Sequence, residues 1–310
     1  MKGDINMSGI STNRTNITLP AEISAEIIQK TQEESAVMRL ARQIALPGRG
    51  LTIPVITGDP EAAWVDETNV KPVSNPSLTT KNMKGYTLAV IVPFSNQFKR
   101  DAAALYDSIV ERLPGSLAKK FDNTVFNGTT PGTGFDVLTA CTENTISGQG
   151  KSFYGALVDA DVAISELGFD VNGYAMSPQA RGEMLSALDN DGRPIFIGNV
   201  SDGAIPKLLG HGVYYSRGIY GAGNAASGTS GQSGYVAAKA DVLGFAGDWT
   251  QARYGVVEGI NISISDQATL TIGTEAVNLW ERNMFAVRAE IEVGFVADTD
   301  AFQKIVRTHA

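Results

Sequence analysis

The chain's 310 residues carry 25 Lys and Arg against 33 Asp and Glu, a formal net charge of −8, and 43% of them are hydrophobic while 19% are charged. That length predicts two subdomains, or one large domain with extensions, and the low charge fraction points to surface buried against partners. The acidic balance excludes a general positive field that would hold the protein to nucleic acid or anionic lipid, and no apolar run approaches the ~18 residues that span a bilayer.

In chain order, Met1 to Thr18 is polar, without a signal-type apolar segment or a helical period, and reads as an extended arm on a protein made in the cytosol. Pro20 suits the first position of a helix, with Glu22 and Glu26 at the positive end of its dipole and Ile23 and Ile27 on one face. A second short helix is expected from Ser35 to Gln43, stopped by Pro47-Gly48. Leu51 to Thr57 and Tyr86 to Val92 read as strands by their β-branched content. Between them, Gly58 to Gly85 holds Pro60, Pro72 and Pro76 and little apolar material, too long for a structureless loop in a compact body. It reads as a projecting hairpin tongue, and a lone hairpin with an exposed Trp64 needs another subunit to lie on. A surface loop is the plainer alternative.

From Asn96 to Asn127 a long helix is expected, with Leu105, Ile109, Leu113, Leu117, Phe121 and Val125 recurring every four residues and Pro114 kinking or interrupting it. Residues 151–167 form an amphipathic helix pattern, Tyr174 to Met176 a buried strand, and Ser177 caps a helix that starts at Pro178 and carries Met184, Leu185 and Leu188. Gly221 to Gly234 reads as a loop, and strand patterns dominate from Tyr235 to Val296. The last strand, Asn283 to Val296, sets Phe285, Val287, Ala289, Ile291, Val293 and Phe295 on one face and Asn283, Arg288, Glu290 and Glu292 on the other.

Chemical motifs fail in turn. Gly150-Lys151-Ser152 resembles the end of a phosphate loop, but Thr145 stands where its first glycine belongs. Asp189-Asn190-Asp191-Gly192 lacks both ends of a calcium loop, with Ala187 and Gly198 at the terminal ligand positions. A single cysteine, Cys141, and two histidines, His211 and His309, supply no disulfide, zinc or Ser-His-Asp set. No cofactor or metal is expected, and no enzymatic turnover.

Taken together, the order of parts resembles the major capsid proteins of tailed double-stranded DNA bacteriophages, the Hong Kong 97-like α+β fold. The resemblance rests on Pro20-Ala21-Glu22-Ile23, Glu34-Ser35-Ala36-Val37, Trp64-Val65-Asp66-Glu67 with Lys71-Pro72, Phe126-Asn127-Gly128-Thr129, Leu188 through Phe196, and the ending Arg288 through Phe302. It implies an N-terminal arm and leading helices at 1–49, an extended loop at 50–93, a peripheral domain with a long spine helix at 94–135 and 256–310, and an axial domain at 136–255. It implies pentamers and hexamers closed into an icosahedral shell around DNA that is bound without sequence preference, with Trp64, Val65, Glu67 and Lys71 touching neighbouring subunits. A separate scaffolding protein, a portal and decoration proteins are the implied partners, and the virion the implied location. Some members knit the shell with isopeptide bonds, and local matching puts Lys71 at the lysine, Asn283 at the asparagine and Glu290 at the assisting glutamate. Encapsulin-type cellular nanocompartments, which share the fold, are the alternative.

Overall fold

The computed structural model describes residues 29–56, 64–65, 71, 78–96, 102–146, 153–187, 191, 207–227, 235–257, 259–272 and 274–309. They form a mixed α+β body around two sheets that share one apolar core. Residues 29–34 are helical; Pro20, Glu22, Ile23, Glu26 and Ile27, on which the first helix is expected, lie outside the described residues. Ser35 then caps α1 (Ala36–Leu40) by accepting the Met38 N–H at 3.2 Å. This helix stops short of the expected Gln43, because Arg42–Ala45 becomes strand β1, in parallel register with β10 (Ala252–Val256). A partner some 200 positions away overrides a local helical preference.

The first sheet is built on β14 (Met284–Ala297). On one edge it pairs antiparallel with β4 (Tyr86–Ser95), Val293 to Met284 facing Tyr86 to Ser95. Residues 286–290 also pair with β11 (Asn261–Ser265), and Val293 to Ala297 with β10, so β10 and β11 lie end to end on the opposite edge. The alternation read from the sequence holds: Phe285, Val287, Ala289, Ile291, Val293 and Phe295 are all buried, at 3% exposure or less. Asn283 is not part of the alternation, since it precedes the strand in a left-handed conformation, φ 53°.

The second sheet has six strands in the order β5 (Thr142–Ile146), β15 (Phe302–Arg307), β9 (Asp241–Gly247), β6 (Gly173–Met176), β8 (His211–Tyr215) and β7 (Lys207–Leu208). Its alternate residues face two helical layers. Tyr174, Met176, Leu243 and Ile305 bury against α3 (Phe153–Glu166) and α4 (Pro178–Ser186), while Ala175, Phe245, Phe302 and Val306 join the core under α1 and α2 (Ala102–Asn127). Ser177 caps α4 as expected, accepting the Ala180 N–H at 3.2 Å; Met184 is buried, but Leu185 faces solvent.

Helix α2 runs through Pro114 without interruption, so of the expected kink or break the break is absent. Pro114 removes one internal donor, yet it is buried and packing holds the helix together. A column with a spacing of four drifts around a 3.6-residue helix. The contact passes accordingly from Leu113, Leu117, Phe121 and Val125 to their neighbours Ala118, Asp122 and Phe126, all buried. Phe121 meets Phe295 of the first sheet edge-on, ring centroids 6.5 Å apart, and Phe126 meets Phe245 of the second at 4.8 Å. One helix thus welds both sheets.

The tongue is paired differently from the sequence reading. Strand β2 (Leu51–Ile56) takes its partner from within the expected insert: Leu51 faces Met83 and Ile56 faces Leu78 of β3 (Leu78–Met83). Tyr86 onward belongs to the first sheet, so the hairpin ends before the expected limit at 93. The expected split at 256 also shifts: β10 and β1 belong to the first sheet, and β15, the chain's last strand, to the second. A smaller hairpin joins β12 (Thr269–Ile272) to β13 (Glu275–Asn278).

Candidate assembly surfaces

The base of the tongue is fixed to the body. Ile53 and Met83 form a small apolar cluster with Leu46 of the segment after β1 and Val296 of β14. The Lys81 ammonium donates to the Ala297 carbonyl at 2.7 Å and pairs with Asp136 at 3.4 Å, while Asp136 accepts the Ala297 N–H at 3.3 Å. Gly50, φ +84°, turns the chain into β2 where a Cβ would fall 2.7 Å from the Met83 carbonyl oxygen.

Farther along the tongue, Trp64 is fully exposed, Val65 half-buried and Lys71 exposed; Glu67 lies outside the described residues. A bare indole is a large apolar surface with nothing of its own chain upon it.

Of the three residues matched to the isopeptide reaction, Asn283 and Glu290 are not gathered within one subunit. Asn283 precedes β14, its side-chain oxygen accepting from the Asn96 amide at 2.7 Å. Glu290 sits midway along β14, paired with Arg288 at 3.2 Å, and strand geometry puts it about 20 Å from Asn283. Asn283 and Glu290 of one subunit therefore do not form a single site.

Two buried carboxylates, neither singled out from sequence, fasten the segment at Ser35–Val37 and the last strand to the body. Asp122 on α2 accepts the Ser35 hydroxyl at 2.6 Å and the Ala36 N–H at 3.0 Å, so the start of α1 docks on the long helix. Burial pushes its carboxyl above the ordinary value, against the lowering effect of Ser216, Ser35 and the α1 amides. Asp241 on β9 accepts from Arg307 of β15 at 2.9 Å and from the Gly223 N–H at 2.8 Å, and His309 lies at 2.8 Å. Burial alone would raise its pKa, but those partners together hold it well below the carboxylate range. Arg307 also pairs with Glu183 of α4. Asn224 bridges to Lys239 and Ser227 to Val236, so the described start of the expected loop, Gly221 to Gly234, is paired with the residues after it.

Cys141 is buried and its thiol is pushed up to about 12, chiefly by desolvation, so it is no nucleophile at neutral pH. Among the described residues no three His, Cys, Asp or Glu side chains converge as a metal site. No helix among them is long and apolar enough to cross a membrane.

Known proteins agree with this arrangement over nearly its whole length. A family model described as "Phage capsid family" matches residues 15–306. A protein of Mycobacterium phage L5 named "Probable major capsid protein gp17" is 30% identical over 94% of this chain and 90% of its own length. Its namesake in Mycobacterium phage D29 is 27% identical over 92% and 88%. Among solved structures, a chain from Mycobacterium phage Bobi superposes with a TM-score of 0.67 at 22% identity, covering 89% of this chain and 91% of that one. With the family model spanning residues 15–306, the chain belongs to the phage capsid family.

Proposed function

We propose that this protein is the major coat subunit of a tailed-phage head, assembling as pentamers and hexamers into a closed icosahedral shell around double-stranded DNA. The observation that carries the reading is the coextensive family match over residues 15–306, joined to a relative with 30% identity along 94% of the chain. The fully exposed Trp64 on an anchored hairpin adds a physical reason, since such a surface is stable only when another copy covers it. Trp64, Val65, Glu67 and Lys71 are the contacts assigned to the tongue. A separate scaffolding protein and a portal act with the subunit, decoration proteins bind its outside, and the DNA is enclosed without sequence readout. The chain is made in the host cytoplasm, ends in the virion, and performs no catalytic turnover.

A narrower step belongs to the same proposal. Lys71 of one copy attacks the side-chain carboxamide of Asn283 on another, forming an amide and releasing ammonia, with a Glu290 carboxylate taking the lysine proton. Electron microscopy of the expressed protein tests the main reading: closed shells support it, and a chain that stays monomeric overturns it. Denaturing electrophoresis of boiled particles tests the bond, because a single monomer band removes that step and leaves the shell.

A further inference from the structure

The second sheet separates two helical layers of opposite charge. From Arg112 to its end at Asn127, α2 exposes Arg112, Ser116, Lys119 and Lys120, and the one carboxylate of that stretch, Asp122, is turned into the core. Arg39 of α1 stands in the same layer, its guanidinium 5.3 Å from the ring centroid of Tyr214. Arg217 joins them from the turn after β8. That turn is fixed to α2, because the Asn123 and Asn127 side-chain amides donate to the Gly218 carbonyl at 3.4 and 3.2 Å. Across the sheet, residues 153–170 contain no Lys or Arg. There α3 and the turn after it leave Asp159 and Asp161 half-buried and Glu166 and Asp170 exposed.

Arg112, Lys119 and Arg217 line one groove, and Glu33 and Glu34 stand on its wall as well. Among the described residues these three cations and Lys120 form no ion pair, whereas Lys81, Arg288, Lys304 and Arg307 each hold a carboxylate. Their charge is therefore open to an anion from outside the subunit. The apolar residues between them, Leu113, Leu117, Ala118 and Phe121, are all buried, so this face offers no exposed apolar anchor of the kind that carries a protein interface. The exposed Tyr154, Val162 and Leu167 belong to the acidic layer. Phosphates need no such anchor. Each takes a cation, and released counterions supply the affinity. A polyanion enclosed by a chain of net charge −8 is best tolerated where the positive layer faces it.

We propose that the layer of α1 and α2 is the inner wall of the shell, where Arg112, Lys119, Lys120 and Arg217 contact the phosphate backbone of the enclosed DNA, and that the acidic α3 layer faces outward. This rests on the shell reading above and adds to it which way the body faces. Two measurements test it. In the first, the full-length subunit is titrated with a mixed-sequence duplex of about 30 base pairs across a salt series. Arg112→Gln with Lys119→Gln and Arg217→Gln should weaken binding at least about tenfold and lower the slope of log affinity against log salt by about 2 to 3. Removing the same charge elsewhere, by Lys207→Gln with Lys239→Gln and Arg282→Gln, should leave the parent slope in place. No duplex binding by the parent, an unchanged slope in the first variant, or an equal fall in both overturns the phosphate contact. An unchanged slope joined to failed shell assembly assigns the layer to a protein partner instead. In the second, DNA-filled shells meet an amine reagent too large to enter them, and labelled lysines are read by mass spectrometry. Lys119 and Lys120 should stay unlabelled until the shells are opened and the DNA digested. Their labelling in intact shells overturns the orientation and leaves the coat reading standing. A chain that forms no shells fails the coat reading, and the duplex titration still decides the phosphate contact.

Discussion

The Ser35 hydroxyl donates to Asp122 Oδ1 at 2.6 Å across 87 positions of sequence, inside the core where neither group meets water. With the Ala36 and Val37 amides on the same carboxylate, this one side chain fixes where the leading segment meets the long helix. Asp122→Ala leaves several buried donors unpaired and should destabilise the isolated subunit by about 3 kcal/mol. Asp122→Asn keeps one acceptor oxygen and should cost about half as much, read from urea midpoints at neutral pH.

The two buried carboxylates should give opposite pH signatures. The folded pKa of Asp241 lies below its unfolded value, so its stabilising contribution is complete above about pH 4 and is lost as pH falls toward the depressed value. Asp122 has a raised folded pKa, so its protonated form favours the fold, and that advantage fades as pH rises through the ordinary carboxylate range. Stability measured from pH 7 down to 3 should therefore fall less steeply in Asp241→Asn than in the parent. In Asp122→Asn it should fall more steeply. Parallel curves for all three proteins would refute both assignments.

Tyr174 lies wholly in the core beneath α3, and its hydroxyl has no hydrogen-bond partner among the described residues. Tyr174→Phe removes that polar atom and changes the shape little. The variant should be as stable as the parent or gain up to about 1 kcal/mol, visible as an unchanged or higher thermal midpoint.

Trp64 should matter only to the assembled state. Trp64→Ala removes nothing that packs in the subunit, so the urea midpoint should move by less than the equivalent of about 0.5 kcal/mol. The concentration needed for shell formation, followed by light scattering, should rise about tenfold or more, as loss of a buried aromatic anchor does elsewhere.

What could be read from sequence followed from local pattern. The β14 alternation, the Ser177 cap and the Leu113 to Val125 part of the α2 column each rest on spacings within a single element, and each is present; the side chains of Leu105 and Ile109 lie outside the described residues. Pairing partners were not legible. Strand β3, Leu-Thr-Thr-Lys-Asn-Met, has almost no apolar alternation and is a strand only because β2 lies beside it. Strands β1 and β15 are each specified by a partner in a sheet that local composition does not reveal. The clamp at Asp122 was equally hidden, since a lone aspartate in a helix looks like a solvated residue until four donors converge on it.

One stretch of chain, from Met284 to Arg307, is the central strand of one sheet and, after a single turn at Thr299–Ala301, an inner strand of the other. A force applied to either sheet is carried to its partner along covalent backbone and ladders on both flanks, without crossing a deformable joint. In the shell proposed above, a change of curvature should then be taken up where copies meet.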